Sequence, residues 1–163
     1  NQGTQGNQGT QGNQGTQGFQ GAQLLMAVSG GQAITSTSLV DITGLTVALT
    51  SGTWVLESHL HGQSGSGTAG SQFGVQYSGT VTSMDVNDFG QASGTTLAAT
   101  TRITAKNTAG VAHHTTNAAE EKVILSGQVV VSNSGNLTIQ GLKITSQTLT
   151  LRAGSYMWAF KVA

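Results

Sequence analysis

Between Gly3 and Gly21 a glycine stands at every third position, and no glycine falls between them. In triplets, residues 3–23 read GTQ GNQ GTQ GNQ GTQ GFQ GAQ, with glutamine third each time. A strict period of three is what three polyproline-II chains require when they wind on a shared axis, because only glycine fits at that axis. The spacing predicts a three-chain, collagen-like triple helix over residues 1–23. Gly3, Gly6, Gly9, Gly12, Gly15, Gly18 and Gly21 would lie on its axis, with Thr, Asn and Gln side chains in water. At ~3.1 Å per residue this stalk would be roughly 60 Å long.

The chain has no proline in 163 residues, so nothing restricts φ in the triplets before they associate. A free peptide of this segment is expected to be disordered, and another part of the chain must hold three copies together. A Gly/Gln-rich flexible linker has a similar composition, although a linker has no reason to keep glycine out of the second and third triplet positions. Other polyproline-II assemblies or a solenoid also accommodate the period. The chain opens at Asn1-Gln2, the end of an incomplete triplet, which predicts a stalk continuing upstream or a processed product.

From Leu24 onward the pattern changes to short apolar and β-branched runs separated by Gly, Ser, Asn and Asp. Strands are predicted near 24–28, 32–41, 44–49, 53–61, 72–82, 96–105, 121–131, 136–146, 148–152 and 155–162. The longest loops are predicted at 62–71, 85–94 and 107–119. No stretch keeps a long 3.6-residue period. Residues 24–163 therefore form a second, all-β domain, a two-sheet sandwich or jelly roll. Trp54, Leu56, Ser58 and Leu60 alternate with Val55, Glu57, His59 and His61, so one set enters the core and the other faces solvent or a neighbouring subunit. Tyr156, Trp158, Phe160 and Val162 likewise share one side of the last strand. A trimeric head would bring three stalk chains into register and offset their ordering entropy. The 7% of charged residues suits subunit faces that are permanently covered.

Lys plus Arg and Asp plus Glu both number 6, a formal net charge of +0, which gives no electrostatic basis for holding a nucleic acid. The absence of Cys excludes disulfides, Cys-ligated metal centres and a thiol nucleophile. No apolar run approaches the ~20 residues of a membrane span, so no membrane insertion is expected.

His59 and His61 point the same way on one strand beside Glu57, and histidines from three chains meeting on a threefold axis would suit a metal ion. The cupin metal motif, His-x-His followed closely by Glu, is not completed, since Gly65 and Ser66 occupy the acidic places. Surface or interface histidines are the expectation, with a metal or a weak polar ligand as alternatives. Asp85 and Asp88 in SMDVNDFG would suit calcium or a glycosidase pair. Too few oxygen donors surround them for a calcium loop, and turn formation and solvation are expected. His113-His114 and Glu120-Glu121 face opposite ways within each doublet and make poor paired ligands. No G-x-S-x-G elbow marks a serine nucleophile. Neither a catalytic set nor a cofactor site is expected.

The triplets GTQGNQ, the segment LVDITGLTVALTSGTWVLESHL at 39–60, FGVQYSGT at 73–80 and the ending LTLRAGSYMWAFKV at 149–162 together resemble a known arrangement. A Gly-x-y stalk before a small β head is similar to the collagen plus C1q/TNF-like trimeric jelly roll. The polar, proline-free form resembles bacteriophage tail-fibre and head-fibre proteins. The resemblance implies a homotrimeric virion fibre on the virion surface, joined to other virion proteins through its upstream N-terminal side. Its head would touch a host-surface glycan or other polymer through the longest loops. A capsid-attached or other surface filament with a purely structural head is the second reading, and a polysaccharide-degrading enzyme the third.

Overall fold

Alternation of apolar and polar residues sends every second side chain of a strand to one face, and two such faces exclude water by packing together. The computed structural model describes residues 24–64, 70–93, 96–97, 101–114, 120–144 and 148–162. The seven triplet glycines from Gly3 to Gly21 lie outside the described residues. Every helix or strand among the described residues is a strand: β1 (Leu24–Val28), β2 (Gln32–Ile34), β3 (Val40–Leu49), β4 (Gly52–Ser64), β5 (Gly70–Tyr77), β6 (Val81–Ser93), β7 (Thr96–Leu97), β8 (Thr101–Ile103), β9 (Thr108–Ala109), β10 (His113–His114), β11 (Glu120–Val131), β12 (Gly135–Lys143), β13 (Leu149–Leu151) and β14 (Tyr156–Lys161).

They form two antiparallel sheets on one shared core. The larger runs β1-β14-β4-β11-β6-β7, with β13 on β4, β2 on β13 and β8 on β6. The smaller runs β10-β5-β12-β3, with β9 on β5. Trp54, Leu56, Leu60, Val123, Leu125 and Val129 enter the core from the first, and Ile42, Leu45, Phe73, Val75, Leu137 and Ile139 from the second. Each of the largest buried side chains contributes roughly 1.5–3 kcal/mol through apolar burial.

The strands at the two ends of the domain fall where expected, and several boundaries move: of the expected strand 32–41 only β2 (Gln32–Ile34) forms before β3 begins at Val40. Residues 40–49 form one strand through the expected break. Gly44 has φ of 84°, and the bulge it permits turns both Ile42 and Leu45 into the core. A Cβ on Gly44 would lie 2.7 Å from the Val28 carbonyl oxygen, so only glycine lets β3 pass β1 this closely. The expected loop 85–94 is instead mostly β6, which continues to Ser93. Within the expected strand 96–105 the described residues include β7 and β8, and the expected loop 107–119 contains β9 and β10. Residues 78–80 form a turn rather than the end of β5. Asn133 holds that turn through its side-chain oxygen, which accepts from the Thr80 amide at 2.7 Å.

Tyr77 is buried at the end of β5 and its hydroxyl donates to the Asn133 carbonyl at 2.5 Å. Burial pushes its pKa above the ordinary tyrosine value. The associated stability is fully present below pH ~10, where unfolded tyrosine begins to ionise, and is lost as pH rises through the raised folded value. Tyr77→Phe should cost about 1 kcal/mol at neutral pH and flatten the decline in urea midpoint above pH ~10. An unchanged alkaline decline in the variant would contradict this account.

β14 pairs with β1 over Leu24–Val28 on one side and with β4 over Trp54–His59 on the other. Its Met157 and Ala159 are fully buried. Deletion of residues 155–163 leaves β1 without its only paired strand among the described residues and opens the core at β4. The truncated chain is expected to be insoluble. A soluble product with a cooperative melt would show that the last strand is dispensable.

Candidate functional site

The outer face of the larger sheet carries the residues singled out in the sequence. β4 sends Trp54, Leu56, Ser58 and Leu60 into the core and leaves Val55, Glu57, His59 and His61 on the outside, partly exposed. The antiparallel register sets these in rows across the sheet. Leu24, Phe160, Val55 and Gln128 form one row. Met26, Trp158, Glu57 and Ser126 form the next, and Val28, Tyr156, His59 and Ile124 the third. His61 stands opposite Lys122 beyond them.

His59 Nε2 lies 2.5 Å from Glu57 Oε1. The His59 ring stacks on Tyr156, with centroids 4.8 Å apart and planes 14° from parallel. Cross-strand register brings Tyr156 beside His59, while the period of two on β4 brings Glu57 to the same face. Leu24, Met26 and Val28 are 64%, 68% and 53% exposed on the edge strand β1, and Val162 just beyond β14 is 54% exposed. The opposite end of the face is charged. Arg102 of β8 donates to both carboxylate oxygens of Asp85 at 2.8 and 2.6 Å. The hydrogen bond from Arg102 holds the Asp85 carboxyl below the usual carboxylate range, and Asp85 raises the guanidinium in turn. Both side chains are largely exposed, so this pair contributes little to stability.

His59 and His61 share the outer face, as their spacing predicts. No group of three or more His, Cys, Asp and Glu side chains suited to a metal occurs among the described residues.

Asp85 and Asp88 do not form a pair. A separation of three on an extended strand puts them on opposite faces of β6: Asp85 points outward and Asp88 into the core. The expectation that Asp88 is a solvated turn residue is therefore corrected. Its Oδ1 lies 2.7 Å from His113 Nε2, and both side chains have 0% exposure. Asp88 belongs to the larger sheet and His113, on β10, to the smaller, so the pair joins the two layers. Asp88 Oδ2 and His113 Nδ1 have no hydrogen-bond partner among the described residues. Two glycines close over them. A Cβ on Gly110 would lie 2.0 Å from Asp88 Oδ2, and one on Gly90 would lie 2.3 Å from His113 Nδ1.

Ser71 stands opposite His113 on β5, placing serine, histidine and aspartate side chains in one region. All three residues are completely buried, so no substrate reaches this set in the folded chain. The sequence offered a single signal for the buried pair: Asp88 continues the inward period of Met84 and Val86. The partner is 25 residues away on another sheet.

Comparison with models of protein families finds no match, and comparison with curated proteins finds none.

Proposed function

We propose that this chain is part of a homotrimeric fibre. In this reading residues 24–163 form the jelly-roll head, residues 1–23 form a triple-helical stalk, and three heads meet through the outer face of the larger sheet. The observation that carries the reading is the apolar β1–β14 edge. Five of the seven large apolar side chains exposed among the described residues, Leu24, Met26, Val28, Phe160 and Val162, lie there. An uncovered edge strand bearing such a surface is an association site. β1 also begins directly after the last triplet. A triple helix holds its three chains around a common axis, so it would deliver three copies of this apolar edge to the same place.

The outer face of the smaller sheet has a different character, with Thr46, Gln76, Thr138 and Gln140 across β3, β5 and β12. A trimer formed through the larger sheet covers the apolar face and leaves this polar one outside the contact, with Thr46 exposed and Thr138 and Gln140 already buried within the chain. The resemblance to phage fibre proteins extends the proposal to a virion surface. Host-surface attachment would then use the connections at the end of the sandwich away from Leu24. A polysaccharide-degrading role has less support, because Asp85 and Asp88 lie on opposite faces of their strand.

Sedimentation equilibrium of the full chain, together with circular dichroism across a melt, tests the reading. The expected result is a three-chain species with a polyproline-II transition that melts separately from the strand signal. A monomer at all concentrations would overturn it.

A further inference from the structure

The third row of the outer face extends over five strands as Val28, Tyr156, His59, Ile124 and Phe89. It is apolar or aromatic apart from His59. The second row extends as Met26, Trp158, Glu57, Ser126 and Asn87 to Arg102 on β8, so Glu57 is its single ionisable group over the five strands from β1 to β6. Glu57 and His59 thus stand together in the part of the stripe between β1 and β6 that is otherwise uncharged, with Arg102 at its far end engaged by Asp85. They are bonded to each other and the imidazole is held flat against Tyr156. Their side chains are only 32% and 29% exposed before any partner arrives.

We infer that Glu57 and His59 form a proton-linked latch on the self-association face: covering this face with further copies of the chain takes a proton into the pair, so assembly tightens on mild acidification. The inference rests on the self-association proposed above and names its regulation.

Charge counting gives the direction. With Glu57 ionised and His59 neutral, the pair carries one negative charge. With one more proton it carries none, whichever partner holds that proton. In water the charged form is readily tolerated. Covering the surrounding apolar side chains removes that water, and an uncompensated charge then becomes unfavourable. Symmetry repeats the same charge in every copy, adding repulsion between like groups around the axis. Association therefore selects the one-proton form. At still lower pH a second proton makes the pair positive and assembly weakens again.

The surrounding titratable groups leave that direction intact. On β4, His61 lies two residues from His59; on β11, Lys122 is opposite His61; on β14, Tyr156 forms the stack. β1 presents no ionisable side chain. On β6, Asp85 is engaged by Arg102 of β8. Among the described residues of this face His61 is the other histidine, which makes it the control position for the test.

The test is sedimentation equilibrium of the full chain from about pH 6 to pH 8, with urea added until monomer and assembly coexist at neutral pH. Each proton taken up gives at most one decade in the assembly constant per pH unit, and a trimer has three such pairs. The wild-type assembly constant is expected to fall at least tenfold from pH 6 to pH 8. His59→Gln should remove most of this dependence, and His61→Gln should retain it. Glu57→Gln should reverse its sign, because the pair is then neutral without the extra proton and positive with it. A pH-independent trimer, a slope retained in His59→Gln, or an unreversed slope in Glu57→Gln would overturn the latch. A chain that is monomeric at every pH, without urea, would overturn the self-association reading itself.

Discussion

Replacing Asp88 by alanine should destabilise the β domain by about 3–5 kcal/mol, the usual cost of removing one partner from a fully buried acid–base pair. His113 would keep its place between β5 and β6 with both ring nitrogens lacking a partner among the described residues, and the missing carboxylate would leave a void between the sheets. Gly110→Ala should be comparably damaging for a related reason. Its new Cβ would come to 2.0 Å from Asp88 Oδ2 and 2.8 Å from Asp88 Cγ, contacts that force the carboxylate away from His113. The two changes should be far from additive, because Asp88→Ala removes the atoms that Gly110→Ala would strike. Urea unfolding of the two single variants and the double variant measures this coupling. Additive losses, or a loss under about 1 kcal/mol for Asp88→Ala, would show that the pair does not hold the sheets together.

The second large effect concerns assembly rather than folding. Met26→Glu places a carboxylate in the row that contains Trp158 and Glu57, on an edge strand where Met26 is 68% exposed in the single chain. The folded subunit should tolerate it, since the new charge remains in water. In a trimer closed through this face the charge would be buried once per subunit beside an existing carboxylate, so association should weaken at least a hundredfold, or about 2.8 kcal/mol. Strand dichroism should be retained while the sedimenting mass falls to that of one chain. Ala48→Glu, exposed on the outer face of the smaller sheet, is the matched control and should leave assembly unchanged. Equal assembly of the Met26→Glu and wild-type chains would exclude this face as the contact.

The legible and illegible parts of the fold differ in range. The alternation of Val55, Glu57, His59 and His61 with Trp54, Leu56, Ser58 and Leu60 was readable because side-chain direction in a strand is a local property. Residues 85–94 read as a loop in sequence because Asp85, Asn87, Asp88 and Gly90 are turn-forming residues. They extend here because Asp88 meets His113, and because Gly90 gives the imidazole the room it needs. That contact overrides local propensity, and no window around residue 88 contains it. Gly44 carried the opposite ambiguity. The expected break falls just before it, between residues 41 and 44, yet in the sheet its positive φ bends one continuous strand.

The sequence by itself determined a two-part chain: a period-three segment followed by a strand-rich domain whose residues alternate between two faces. Both properties follow from spacing along the backbone, which the order of residues dictates directly. Only the tertiary structure decided which faces are covered. β1 and β14 come from opposite ends of the domain, and their pairing creates the exposed apolar edge. Asp88 and His113 come from different sheets, and their meeting turns two apparent loop residues into a buried link. Strand order is set by the free energy of burying the whole core at once, so it cannot be read from any single segment.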